Sequence, residues 1–327
     1  MLTLLAVVTF NPHYPMCEDI PAAIETVDTL RYEGRLDRAI REVDMTFACE
    51  ELTTPDKVTL HLRLATIHDR KGLHHNTRPV RAALQEIMTA QSLAAENDLP
   101  SQAAIKLALA RYYYRAEMAE RKFTLAEDYA TDASKRFAAL GDSRGEADAA
   151  HLLGLVHFQR GQMEHAEYYF GESLRLEGKA ARDNPGSGAR PELMSDFARH
   201  MAFVYDATGQ PQQALEYYRD ALRIRRDGGL VDASMFAAVS YANALIEADR
   251  ADEAGEFIAD ALRIADRINS PVGEMRALAT RAKEREALGD PAAAVADYAA
   301  VRALAETVAS ESYRDWADAA IARLTPE

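Results

Sequence analysis

Long stretches of the chain carry apolar residues three and four positions apart, and the alternation of a half-buried strand is nearly absent. Alanine is abundant, which favours helix. The helical segments repeat. Gly154, Ala202, Ala242 and Ala282 each stand twelve positions before a second alanine: Ala166, Ala214, Ala254 and Ala294. Between each pair lies a turn signal: Arg160-Gly161-Gln162, Thr208-Gly209-Gln210, Asp249-Arg250 and Gly289-Asp290-Pro291. Four residues after the second alanine comes a large side chain (Phe170, Tyr218, Ile258, Tyr298), and three further on a smaller one (Ser173, Ala221, Ala261, Val301). Two antiparallel helices approach closely where both present small side chains, and the large residue fills the gap to the next hairpin. A single hairpin cannot bury its face alone, so such units stack.

The stretches Leu153-Gly154-x-x-His157 with Ala166-x-x-x-Phe170, and Met201-Ala202-x-x-Tyr205 with Ala214-x-x-x-Tyr218, resemble the tetratricopeptide repeat, whose pattern is Leu-Gly-x-x-Tyr and Ala-x-x-x-Phe. The resemblance implies an all-α, right-handed superhelical solenoid of antiparallel helix hairpins. The spacing of about 40 exceeds the usual 34, and extended second helices account for it. This long form is similar to repeats of bacterial signalling and regulatory proteins, peptide-sensing regulators among them. Arg285 stands where the seventh unit should carry an aromatic ring, so that unit reads as looser.

Earlier units are more divergent. Ala126 and Ala133 hold the register of a third, Leu64-Ala65-x-x-His68 with Ala83 and Ile87 form a second, and Ala22 to Cys49 form a first with Gly34 at its turn. The second unit's turn, Gly72 to Pro79, is several residues too long. The division is an N-terminal arm (1–19), repeats one to four (20–182), a Gly/Pro-rich linker (183–191), repeats five to seven (192–309) and a capping helix (310–327). The linker is expected to be a mobile insertion, with a hinge or a ligand-contacting loop as the alternatives.

Net charge narrows the partners. With 38 Lys plus Arg against 52 Asp plus Glu, the chain carries −14, which disfavours direct nucleic-acid binding. Residues 1–10 are apolar but lack a basic flank and a cleavage site, and they are too short to span a bilayer, so they read as an arm and no membrane association is expected. Cys17 and Cys49 are expected as free thiols in a reducing cytoplasm. There is no phosphate loop, nucleophile elbow or His-Glu-x-x-His helix, and no cofactor, metal site or enzymatic activity is expected.

The resemblance also places the ligand. In this family the first helix of each hairpin lines the concave surface, and its groove-facing positions fall here on Arg111, Arg115, His151, Arg199, Phe203, Asn243, Arg276 and Lys283. The expected function is a protein- or peptide-binding scaffold that holds an acidic or C-terminal segment by guanidinium–carboxylate pairs, with Asn243 pairing with a ligand's backbone amide. Alternatively, the chain is a peptide-sensing subunit of a bacterial signalling or transcription system. The arginines can also be spent on neighbouring carboxylates such as Asp206 and Glu247 as a solvated face.

Overall fold

A computed structural model describes residues 17, 19–77, 81–118 and 120–325. The apolar stretch 1–10 lies outside them. The described residues form fifteen α-helices: α1 (Ile20–Tyr32), α2 (Leu36–Phe47), α3 (Thr54–His75), α4 (Arg81–Leu93), α5 (Leu99–Ala116), α6 (Thr124–Leu140), α7 (Ser143–Gln159), α8 (Met163–Asp183), α9 (Pro191–Ala207), α10 (Pro211–Asp227), α11 (Val231–Glu247), α12 (Gly255–Arg267), α13 (Pro271–Ala287), α14 (Pro291–Thr307) and α15 (Glu311–Leu324). Consecutive helices pair as seven hairpins, and α15 closes the stack.

The small-residue register is the packing register. Ala166, Ala202, Ala214, Ala242, Ala254, Ala282 and Ala294 have no exposed surface, and Phe170, Tyr218, Ile258 and Tyr298 are buried beside them. Gly154 shows why the contact must be small: a Cβ there would lie 2.6 Å from the Phe170 ring. Seven residues after each small residue the hairpin turn needs a left-handed backbone, supplied by Gly161, Gly209, Asp249 and Gly289. The extra length of the repeat is shared by both helices, since α7, α9, α10, α11, α13 and α14 all span 17 residues.

Three local expectations are corrected. First, α3 runs on to His75, into the first half of the segment read as a long turn (whose residues 78 and 79 lie outside the described residues), and stops where Asn76 takes a left-handed φ of 55° and its N–H returns to Gly72 O. Tertiary contacts of its last turn hold it helical, as described below. Second, the seventh unit closes without an aromatic at position 285: Arg285 and Arg281 both pair with Asp297, which is 3% exposed. Third, Cys17 and Cys49 are joined by a disulfide, because the first hairpin brings the segment leading into α1 close to the segment leaving α2, with Cα atoms 5.4 Å apart. Such bonds persist in oxidising compartments, so the cysteines no longer argue for a reducing cytoplasm. Among the described residues no helix is long and apolar enough to cross a membrane.

The Gly/Pro linker is exposed over residues 184–189 but tied down at its end. Arg190 reaches the fully buried Glu177, Asp148 and the Arg144 carbonyl, while Arg144 donates to Ser187 and to Gly188 O.

Candidate functional site

The superhelix curls far enough for its first helices to meet its later ones. Arg31 and Tyr32 of α1 and Arg70 of α3 all donate to Glu192, at the start of α9, at 3.3, 3.0 and 2.8 Å. Arg70 also reaches Asp232 of α11 at 2.7 Å. One turn on, His74 is buried against Phe236, with Nδ1 2.8 Å from Ser270 Oγ, and Asn76 donates to Val308 O. Burial alone would raise the Glu192 carboxyl, but the Arg31 and Arg70 guanidiniums outweigh it and hold the group down at about 2. Asp232 stays ionised for the same reason, beside Arg70 and His74. These contacts latch the N-terminal units onto the inner helices α9, α11 and α13.

All eight residues expected in the groove lie on the odd-numbered helices that form the inner face, but in different states. Arg111 pairs with Asp148 at 3.4 Å and Arg115 pairs with Asp69, so both are engaged within the chain. His151 is 7% exposed and packs between Phe170 and His200. Arg199 is half-buried over the Phe203 ring and donates to His200 Nε2 at 2.7 Å. An arginine can only donate. His200 therefore carries its proton on Nδ1 and donates it to His151 Nε2 at 2.8 Å, leaving the His151 Nδ1–H buried without a partner among the described residues. Burial pulls His151 down to about 4 and His200 well below its usual value, and Arg199 adds to the effect on His200. Arg199 itself is lowered to about 10 by burial and then by Arg225.

The remaining three, Asn243, Arg276 and Lys283, converge on one open cavity of about 510 Å³ between α9, α11, α13 and α15. Lys283 donates to Asn243 Oδ1 at 3.1 Å, and the Asn243 amide donates to Thr280 and to Val239 O. Both N–H groups of Asn243 are thus engaged inside the protein, and its carbonyl oxygen accepts from Lys283. Arg276 lies 5.4 Å over the Phe236 ring. Neither Arg276 nor Lys283 has an ion-pair partner among the described residues. The same cavity carries Asp206, which accepts from Tyr218 at 2.6 Å, and the exposed Glu247. Burial, and then the bond to Asp206, raise the Tyr218 phenol, which keeps it a donor. Trp316 and Tyr313 of α15 form the end wall. That wall was not foreseen, because the tail reads as a cap.

The architecture is that of a tetratricopeptide-like helical solenoid, and the comparisons agree. The tetratricopeptide repeat pattern matches residues 198–227. Similar folds include a Rap protein complexed with Competence and Sporulation Factor (TM-score 0.57, 10% identity, 88% of this chain and 79% of that one). NprR in complex with its cognate peptide NprX gives a TM-score of 0.57 at 17% identity over 91% and 83% of the two chains. Aspartyl phosphate phosphatase F from Bacillus subtilis gives 0.53 at 14% identity over 88% and 74%. At such identities the likeness is one of fold. No curated protein sequence matches the chain.

Proposed function

We propose that the protein binds a peptide, or a peptide segment of a protein partner, on the inner face of its C-terminal units, and does so without catalysis. One observation carries this reading: the 510 Å³ cavity at α9–α11–α13–α15 presents two cations, Arg276 and Lys283, that have no ion-pair partner among the described residues. A carboxylate on the ligand, from an acidic side chain or a C-terminus, completes them. The solved structures of a Rap protein with Competence and Sporulation Factor and of NprR with its cognate peptide support the choice of ligand class.

A second reading, a peptide-sensing regulatory subunit, is favoured by the latch. α11 carries both latch and pocket residues, and Ser270, which His74 reaches, caps the start of the pocket helix α13, so a ligand that binds the latched form more tightly than the unlatched one shifts the balance between them.

A pull-down from the native source followed by mass spectrometry identifies the partner. Calorimetry at low ionic strength then compares wild type with the Arg276→Glu/Lys283→Glu double variant. Weaker binding, with the difference shrinking as salt is added, is expected because such pairs are screened. Unchanged affinity would remove the ligand from this face.

A further inference from the structure

The pocket's charges are ordered along the groove. Lys283 and Asn243 stand level on α13 and α11, joined by their 3.1 Å hydrogen bond. Arg276 lies two turns back along α13, about 10 Å by helical rise. Glu247 lies one turn forward along α11, about 6 Å, and Asp206 lines the same cavity from α9. The order along the groove is therefore Arg276, then Lys283, then Glu247, with carboxylate charge at the end away from Arg276. Neither carboxylate has an ion-pair partner among the described residues. An occupant that is only anionic would satisfy Arg276 and Lys283 while running into Asp206 and Glu247. Trp316 lines the same cavity from α15 and offers the ring best suited to a cation's approach. It is fixed there by its edge-on contact with the buried Tyr298, 5.0 Å between centroids.

We propose that this pocket recognises a dipolar peptide segment, whose carboxylate lies toward Arg276 and Lys283 and whose ammonium or guanidinium group lies toward Asp206 and Glu247, with α15 as part of the recognition surface rather than only a cap. The inference rests on the peptide-binding reading and specifies the ligand's charge pattern. Its cationic group comes either from a free N-terminus or from a lysine or arginine side chain.

The test uses the full-length protein and a pooled library of short synthetic peptides. The peptides are prepared with free or amidated C-termini and free or acetylated N-termini, with and without lysine and arginine, and retained species are read by mass spectrometry. Retained peptides are expected to carry both a free carboxylate and a basic group. The acetylated arm distinguishes the two sources of the cation: loss on acetylation assigns the N-terminus, and retention of acetylated peptides rich in lysine or arginine assigns the side chain. Glu247→Lys, at an exposed position, should weaken the selected peptide by roughly tenfold or more, and Trp316→Ala should weaken it as well, with helical content preserved. Retention that ignores basic groups while still requiring a carboxylate would overturn the dipolar inference and leave peptide binding standing. Failure to retain any peptide would overturn the peptide reading and this inference with it.

Discussion

Two glycines separate packing from helix propensity, and alanine at each gives opposite signs. Gly154 sits inside α7 and Gly171 inside α8, so either change to alanine gains about 1 kcal/mol of helix propensity. At Gly171 nothing lies within 4 Å of the new methyl group, and the gain should survive almost whole, as about 0.5–1 kcal/mol of added stability. At Gly154 the methyl meets Phe170 Cδ1 and Cε1, both at 2.6 Å. The ring is fully buried and flanked by His151 at 5.2 Å and His200 at 5.5 Å between centroids. It cannot retreat by the ångström that an ordinary contact requires without moving those rings. Overpacking of this kind costs about 1–3 kcal/mol, which exceeds the propensity gain. Gly154→Ala is therefore expected to be less stable than wild type and about 2 kcal/mol below Gly171→Ala. Urea unfolding followed by circular dichroism reads the difference as a shift in midpoint. If Gly154→Ala is stabilised to the same extent as Gly171→Ala, the close approach of α7 and α8 at this position is refuted.

Arg70→Met should open the latch, because it strands Asp232, which is 1% exposed, and removes one of the guanidiniums on Glu192. Breaking a buried pair by deleting one partner costs about 3–5 kcal/mol, and a larger radius in small-angle X-ray scattering should report the opening. Acid should weaken the α7–α9 contact. Above about pH 6.5 His151 and His200 are neutral in both the folded and the unfolded state, whereas between there and about 4 the unfolded chain binds protons that the folded one refuses. Stability should fall by about 1.4 kcal/mol per pH unit for each such proton. His151→Phe should flatten that slope in urea titrations run from pH 7 to 5. Finally, thiol titration of the denatured, unreduced protein should find no free cysteine. Reducing the Cys17–Cys49 bond, which spans 32 residues of sequence, should cost about 3–4 kcal/mol in the first hairpin.

What the sequence showed and what it hid follow from one physical distinction. The approach of Gly154 to Phe170, like the packing of Ala202 with Ala214, is made across a single turn and its spacing recurs in the later units, so a fixed spacing exposes it. The latch has no period. Glu192 meets Tyr32 from 160 residues away and Arg70 from 122, and none of these residues departs from an ordinary solvated helix face when read locally. The same closure explains why α3 continues to His75: its last turn is held from outside, by Ser270 and Phe236, and not by its own residues. Inner-face positions could be placed from the resemblance, since they follow the repeat register. Which of those side chains would be consumed internally could not, because Arg115 finds its partner in Asp69 on another unit. Trp316 was hidden for a further reason. A capping helix ends the repeat, so the periodicity that aligns the other pocket residues stops before it.

The state of the inner cations explains why the open cavity lies at the C-terminal end. From α3 to α7 the cations of the inner face have internal partners: Arg70 holds Glu192 and Asp232, Arg111 holds Asp148, and Arg115 holds Asp69. Charges withdrawn from water need such partners, and their mutual pairing fixes how the first units sit on the later ones. Past the latch, α15 packs against α14 and supplies no ionic partner to Arg276 or Lys283 among the described residues. Charges left in water are tolerated unpaired at little cost. The same closure that makes the N-terminal half of the groove complementary to itself leaves Arg276, Lys283, Asp206 and Glu247 available to a partner.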